Sequence, residues 1–206
     1  TQVLSSAASD VYKRQISTCM TGQRDSDRHL ITLFAIALAS KGKTYVELGV
    51  REGNTTKPLL DAATLNGGHL WSVDIQDPVY EPPLAFNHTF HKQDALEFLK
   101  SWPDDKQMDL VFVDDWHSYD HVKQELIYLD RYVGPGSVIL LHDLMYGNTE
   151  PFYHCDLTNA GPQWDNGGPY RAVAELNPQF WEWSTLPWNN GLTILRKKYS
   201  NRYFTR

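Results

Sequence analysis

The stretch from Tyr45 to Thr56, Tyr-Val-Glu-Leu-Gly-Val-Arg-Glu-Gly-Asn-Thr-Thr, constrains the fold of this chain more than any other. It begins with a short apolar run typical of a buried strand and passes through Gly49 and Gly53 into residues that can start a helix. Glycine adopts backbone conformations that other residues avoid, and the N-terminus of a helix attracts polar and anionic groups. The stretch therefore predicts a strand, a tight turn and a helix that bring a ligand close to the backbone.

Apolar runs alternate with helical patterns through most of the chain. Strands are predicted at 44–48, 69–75, 86–91, 108–113 and 137–141. Helical patterns lie at 25–39 and 170–176, after residues 54 and 94, and across 122–133. This alternation favours an α/β fold with a doubly wound, mostly parallel sheet. Two β-rich runs, 181–186 and 192–196, flank an Asn-Gly turn and predict a C-terminal antiparallel hairpin.

The bulk composition excludes several classes of protein. The chain has 206 residues, 41% hydrophobic and 21% charged, which suits a globular protein with a sizeable core. A net charge of -6 argues against nucleic-acid binding through phosphate neutralisation. The longest apolar run, 30–39, is too short for a membrane span, which needs about 18 residues. Cys19 and Cys155 lack metal-type spacing and favour free thiols in a reducing compartment, so we expect a cytoplasmic location.

The first residues differ in character from the rest of the chain. Residues 5–15 resemble a translated sequencing-adapter fragment. We therefore expect residues 1–15 to be a non-native or disordered N-terminal arm and residues 16–206 to form a single domain. A genuine polar arm is the alternative.

Acidic residues or histidine close four of the predicted strands: Glu47, Asp74, Asp114 and the pair His142-Asp143. One strand-end aspartate is commonly a turn residue. In an open parallel sheet, however, ligands bind at the carboxyl ends of the strands, so these four positions predict one shared crevice. The segment 145–169, rich in glycine, proline, asparagine and aromatic residues, is long for a loop and predicts a lid or binding segment.

The glycine turn departs from the dinucleotide-binding fingerprint. Its spacing is Glu-x-Gly-x-x-x-Gly, and Arg51 stands where a glycine is needed near a pyrophosphate. The pattern resembles motif I of the class I S-adenosylmethionine-dependent methyltransferases, and the resemblance extends over roughly residues 30–196. It implies a Rossmann-like fold with S-adenosylmethionine as cofactor.

The resemblance also implies roles for individual residues. Gly49 would pass under the methionine part of the cofactor, and Gly53 would be a further cofactor-binding residue of the same turn. Glu47 would orient the cofactor's amino group, Asp74 would accept hydrogen bonds from the ribose hydroxyls, and Asp94 would lie near the adenine. A solvated turn acid remains the alternative for Asp74.

The run Asp-Asp-Trp-His-Ser-Tyr at 114–119, followed by His142-Asp143, resembles small methyltransferases with Asp-x-x-His-Ser-Tyr and His-Asp signatures. It is also similar to catechol-type and natural-product O-methyltransferases, whose strand-end aspartates hold magnesium. Asp114 and Asp143 match those positions, but Leu144 replaces the usual third ligand. Three alternatives stay open. The site holds Mg²⁺, it holds Mn²⁺ or another divalent ion with His142 as a ligand, or it holds no metal.

His117 falls where catechol-type relatives carry a lysine, so the resemblance implies that it is the general base beside Asp114. Trp116 stands where sugar-methylating relatives use an aspartate, so their mechanism does not transfer. We expect Trp116 and Trp164 to contact the substrate.

The predicted function is O-methylation of a small hydroxylated molecule. The alternatives are a nicotinamide-dependent oxidoreductase and an inactive methyltransferase-like binding module. A homodimer through the hairpin edge or the N-terminal helix is compatible with the sequence.

Overall fold

The computed structural model describes residues 26–78, 86–145 and 167–199, together with residues 9, 10, 13, 16 and 17. Its strands are β1 (Thr44–Leu48), β2 (His69–Asp74), β3 (His88–Lys92), β4 (Leu110–Val113), β5 (Val138–His142), β6 (Trp181–Leu186) and β7 (Leu192–Lys197). Its helices are α1 (Leu30–Ser40), preceded by a 3-10 turn (Asp27–His29), α2 (Thr56–Asn66), α3 (Ala95–Ser101), α4 (Tyr119–Tyr132) and α5 (Gly168–Ala174). Among the described residues, no helix is both long and apolar enough to cross a bilayer.

The strands form one 7-stranded sheet in the order β3-β2-β1-β4-β5-β7-β6. Strands β1 to β5 pair in parallel, whereas β7 runs antiparallel to both β5 and β6. The predicted doubly wound sheet and its C-terminal hairpin are therefore confirmed. The chain adds β2 and β3 on one side of β1 and then crosses to β4 on the other side. The carboxyl ends of β1 and β4 thus flank the switch point at which ligands bind in such sheets.

Alternate residues of β4 show how the two faces of the sheet are covered. Leu110 and Phe112 pack in a cluster with residues of α1 and α2, whereas Val111 and Val113 pack with residues of α3, α4 and α5. Because successive side chains of a strand point to opposite faces, an uninterrupted apolar run fits a strand covered on both sides.

The ends of α1 differ from the helical pattern predicted at 25–39, because residues 27–29 form a 3-10 turn and the α-helix runs from Leu30 to Ser40. Ser26 makes no capping hydrogen bond, and Asp25 lies outside the described residues. The left-handed residue after the helix is Lys41, with φ of 52°, and not Gly42. Gly42 is instead required by packing, because a Cβ there would lie 2.7 Å from the Cβ of Asp109.

Candidate functional site

The turn between β1 and α2 is held in left-handed backbone conformations. Gly49, Arg51 and Gly53 have φ angles of 88°, 45° and 70°. A Cβ at position 49 would overlap the main chain of Asp114 and Asp115 at the end of β4. The glycine is therefore needed for the contact between two strand ends, a requirement that the sequence pattern did not reveal.

Asp74, at the end of β2, ties this turn to the sheet. Its Oδ2 accepts hydrogen bonds from the backbone N–H groups of Val50 at 2.9 Å and Arg51 at 3.0 Å, and its Oδ1 accepts one from Gln76 at 2.9 Å. A carboxylate offers about four acceptor positions, so about one remains for a ligand. The predicted contact with a ribose stays a prediction.

Glu47 lies beneath the turn and is completely buried. Its carboxylate accepts hydrogen bonds from the hydroxyls of Thr55 at 2.8 Å, Thr56 at 2.7 Å and Ser72 at 2.7 Å. Burial raises the pKa of Glu47, the three hydroxyls partly oppose this, and the resulting value is about 7. Thr55 thus donates to Glu47 instead of capping α2. Glu47 does not line the cavity described next, so an influence on a ligand's amino group would have to pass through the turn.

A cavity of about 750 Å³ extends along the carboxyl ends of the strands. Its volume is within the range of about 300–1,000 Å³ that is usual for small-molecule sites. Most of the predicted site residues line it: Gly49, Asp74, Asp94, Asp114, Trp116, His117 and Asp143. Glu47, Gly53 and His142 do not line it, and Trp164 lies outside the described residues.

Two of the residues that line the cavity are Asp94, which caps a helix, and Trp116, which is exposed. Asp94 caps α3, because its Oδ1 accepts a hydrogen bond from the Glu97 N–H at 3.1 Å. Its predicted contact with an adenine is compatible with this and stays a prediction. Trp116 is 43% exposed, which makes its ring available to a bound molecule.

Two carboxylates and two imidazoles meet where β4 and β5 end. His117 Nε2 lies 3.3 Å from Asp114 Oδ1 and 2.9 Å from Asp143 Oδ2. His142 Nδ1 lies 3.4 Å from Asp114 Oδ1 and 3.1 Å from Asp143 Oδ1. Asp143 has a φ of 65°, a conformation that aspartate tolerates better than most residues, and its N–H donates to the Gly191 carbonyl at 3.0 Å. Of the strand-end residues predicted to share one crevice, Asp114, His142 and Asp143 therefore meet in this cluster, together with His117.

The charges of this cluster are strongly coupled. Burial alone would lower the pKa of His117, but hydrogen bonds to Asp114 and Asp143 outweigh it and raise the pKa to about 10. Burial alone would raise the pKa of Asp143, but hydrogen bonds from His117 and His142 bring it well below its usual range. His117 is consequently protonated at neutral pH in this arrangement. Its predicted role as a base requires that it first release that proton.

The cluster also has the donor spacing of a metal site. One ligand atom from each of Asp114, His117 and Asp143 lies within 4.8 Å of the others. His142 is not part of this set, and its ring packs edge-on against His29 at 5.4 Å. Leu144 is 3% exposed within the hydrophobic core, so it contributes nothing to a ligand set.

Sequence reasoning missed two residues around this cluster. His29 is fully buried, and its Nε2–H donates to the Trp188 carbonyl at 2.8 Å, which ties the start of α1 to the β6–β7 turn. Asn190, from the same turn, lines the cavity. The Asn-Asn-Gly run indicated a hairpin but not its proximity to the site, and no pattern around His29 marks it as a site residue.

Comparisons with known proteins agree with this architecture. Residues 46–144 match a family model described as a methyltransferase domain. No curated protein sequence matches the chain. Several solved methyltransferase structures share its fold at low sequence identity, and three of them show the range of ligands that such proteins bind.

The first is the methyltransferase PaMTH1 of Podospora anserina bound to S-adenosylhomocysteine, with 18% identity, 92% of this chain and 88% of that chain covered, and a TM-score of 0.62. The O-methyltransferase TomG of Streptomyces achromogenes, in complex with S-adenosylmethionine, has 18% identity, coverage of 96% and 90%, and a TM-score of 0.63. The methyltransferase MycE of the mycinamycin pathway, in complex with Mg, S-adenosylhomocysteine and mycinamycin VI, has 18% identity, coverage of 93% and 54%, and a TM-score of 0.60. The chain therefore has the fold of S-adenosylmethionine-dependent methyltransferases, and its segment 46–144 matches their methyltransferase domain.

Proposed function

We propose that this chain is an S-adenosylmethionine-dependent O-methyltransferase that acts on a small hydroxylated molecule. The observation that carries the proposal is the single cavity joining two groups of residues. Gly49 and Asp74 lie along it on the side of β1 and β2, and Asp114, His117 and Asp143 lie along it on the side of β4 and β5. A cofactor and an acceptor bound in one cavity meet the main requirement of methyl transfer, which is close alignment of the two reacting atoms.

The residues present fit the cofactor. The cavity volume of about 750 Å³ suits a ligand of this size, and Asp74 retains an acceptor position for a hydroxyl group. The glycine turn, Asp74 and Asp94 would hold S-adenosylmethionine, which supplies an electrophilic methyl group on its sulfonium when bound.

The residues present also fit a divalent ion. Carboxylates such as Asp114 and Asp143 suit Mg²⁺, and the imidazole of His117 is better suited to Mn²⁺. The Mg complex of MycE supports this part of the proposal. Asp114, His117 and Asp143 would hold such an ion, which would lower the pKa of an acceptor hydroxyl.

The protein's own groups would then handle the proton. Asp114 and Asp143 hold the His117 ring at 3.3 and 2.9 Å and stabilise its protonated form. When no ion occupies the cluster, Nε2 can lose that proton to solvent in the cavity and then accept one from the acceptor hydroxyl as the oxygen attacks the methyl carbon. With an ion bound through Nε2, the ring would act as a ligand and not as the base. Asp143 keeps the ring in place throughout, since its own backbone is fixed by the hydrogen bond to Gly191.

Calorimetry with S-adenosylhomocysteine and with NAD tests the cofactor. We expect S-adenosylhomocysteine to bind and NAD not to bind, and Asp74→Ala to weaken binding strongly. Because Asp74 also holds the turn, Asp74→Asn is the matched variant that keeps one acceptor oxygen and should lose less affinity. NAD binding without S-adenosylhomocysteine binding would favour the oxidoreductase instead.

Turnover tests the acceptor side of the cavity. Release of S-adenosylhomocysteine is measured with S-adenosylmethionine and a panel of catechols, phenols and sugars, with Mg²⁺ or Mn²⁺ present. We expect Asp143→Ala to abolish turnover while cofactor affinity changes little. Equal losses of turnover and cofactor affinity would instead assign a folding role to Asp143.

An inactive binding module is the second candidate, and one observation favours it. Leu144, which replaces the third ligand of metal-binding relatives, is buried in the core. This candidate predicts binding of S-adenosylhomocysteine with no turnover under any of these conditions.

A further inference from the structure

A second cluster of ligand-type side chains lies next to the first. Asp115 follows Asp114 in the chain, and His121 and Glu125 lie on α4. We propose that Asp115, His121 and Glu125 form a second metal site, suited to a divalent transition ion such as Zn²⁺. The function proposed above does not use these three residues, so the inference stands independently of it.

The distances fit a small ion. His121 Nε2 lies 2.9 Å from Asp115 Oδ2 and 3.7 Å from Glu125 Oε1. One ligand atom of each residue lies within 4.8 Å of the others. Tetrahedral zinc holds nitrogen and oxygen ligands at about 2.0–2.1 Å, which places neighbouring donors about 3.4 Å apart. The two observed separations lie on either side of this value.

Glu125 supplies the independent observation, because its ion pair with His121 at 3.7 Å is too long for a hydrogen bond. It is 0% exposed, and neither of its carboxylate oxygens has a hydrogen-bond partner among the described residues. Asp115 Oδ1 is also buried without such a partner. A buried carboxylate is costly unless a hydrogen bond, a proton or a cation compensates its charge, and the three-residue cluster provides a place for a cation.

The scaffold holds the donors in place. His121 and Glu125 are four residues apart, so they project from the same face of α4. Ser118 caps this helix, and its Oγ accepts a hydrogen bond from the His121 N–H at 3.4 Å. Asp115 and His121 also line the 750 Å³ cavity, which gives an ion a route from solvent.

The donor set distinguishes among ions. One imidazole with two carboxylates suits Zn²⁺ or Mn²⁺ better than Mg²⁺, which prefers oxygen donors and retains several waters. Three protein ligands leave a fourth position open on a tetrahedral ion, as in sites where zinc contacts a further molecule. The competing explanation is that Glu125 holds a proton and the cluster binds no ion.

Zn²⁺ titration of the full chain decides between these explanations. The experiment uses the Asp143→Asn background, so that the neighbouring cluster contributes little to the measured heat. We expect one Zn²⁺ ion to bind, and both Glu125→Gln and His121→Gln to weaken its binding by about tenfold or more. Asp120→Asn is the matched control, because Asp120 is an exposed carboxylate on the same helix, and it should leave affinity unchanged.

Thermal unfolding provides the second readout. Zn²⁺ should raise the melting temperature of the Asp143→Asn protein, and this increase should disappear in Glu125→Gln. Glutamine keeps the size of the side chain, and the melting curve without Zn²⁺ verifies that the variant is folded. Absence of Zn²⁺ binding, or equal binding by Glu125→Gln and the Asp120→Asn control, would overturn the proposal.

Discussion

The ionisation of Glu47 should make the stability of this protein depend on pH in a direction unusual for an acidic residue. The carboxyl is completely buried, and its pKa is raised from 4.5 to about 7. A group whose pKa is raised in the folded state binds its proton more tightly there than in the unfolded chain. Its contribution to stability is therefore complete below pH 4.5 and is lost as the pH rises towards 7.

Replacing Glu47 with glutamine isolates this contribution. Glutamine has the same shape, and its amide can accept from and donate to the surrounding hydroxyls of Thr55, Thr56 and Ser72. One pKa unit corresponds to about 1.4 kcal/mol, so a shift from 4.5 to about 7 corresponds to about 3 kcal/mol. The free energy of unfolding of wild type relative to Glu47→Gln should thus fall by about 3 kcal/mol between pH 4 and pH 8.

Urea denaturation of both proteins across this pH range provides the measurement. Burial lowers the pKa of His29 and of His91, which contributes stability that rises with pH in both proteins. Those contributions cancel when the free energy of unfolding of Glu47→Gln is subtracted from that of wild type at each pH. Glu97→Gln is the control for the Glu→Gln change itself, because that carboxylate is 65% exposed and its replacement should change stability little.

A difference between wild type and Glu47→Gln that stays constant across this pH range would refute the argument. It would mean that three hydroxyl donors offset burial completely, so that Glu47 ionises as an exposed glutamate does.

Two further substitutions test the packing around the site by urea denaturation. Gly49→Ala should destabilise the fold by about 2 kcal/mol or more, because its Cβ would overlap the Asp114 main chain at a positive φ. Gly136→Ala is the control and should cost little stability, because nothing lies within 4 Å of its Cβ. Equal losses of stability in the two variants would contradict the contact assigned to Gly49. Leu144→Asp places a carboxylate where the resemblance implies a third metal ligand. It should lower stability by about 3 kcal/mol because position 144 is buried in the core. A variant with wild-type stability and tighter Mg²⁺ binding would contradict this and show that its side chain reaches the cluster of Asp114, His117 and Asp143.

The sheet and the convergence of its strand ends could be predicted because both depend on local patterns. The bounds 44–48 predicted for the first strand match β1, and the apolar run before Asp114 matches β4 with a difference of two residues at its start. Parallel strands place their carboxyl ends together, so strand-end residues such as Asp114 and Asp143 are predicted to meet without any knowledge of side-chain contacts.

The partners of individual polar atoms could not be predicted in this way. His29 contacts the carbonyl of a residue 159 positions away, and nothing in the local sequence encodes that pairing. Thr55 has the side chain of a helix cap, yet it lies beside the buried carboxylate of Glu47 and donates to it. In both cases a long-range contact satisfies a buried group, and that requirement outweighs the local preference.

The peptide between Asp114 and Asp115 is where the parts of the proposed site meet. Asp114 belongs to the cluster with His117 and Asp143, whereas Asp115 belongs to the cluster with His121 and Glu125. Gly49 packs directly on this peptide, and Asp74 holds the turn that contains Gly49.

A displacement of this turn would therefore shift the donor atoms of both clusters, whereas a change at Glu125 would alter one cluster only. We accordingly expect Gly49→Ala, where it remains folded, to weaken binding of S-adenosylhomocysteine and of Zn²⁺ together. Calorimetry with each ligand measures this, and loss of one affinity alone would separate the turn from the cluster that keeps its ligand.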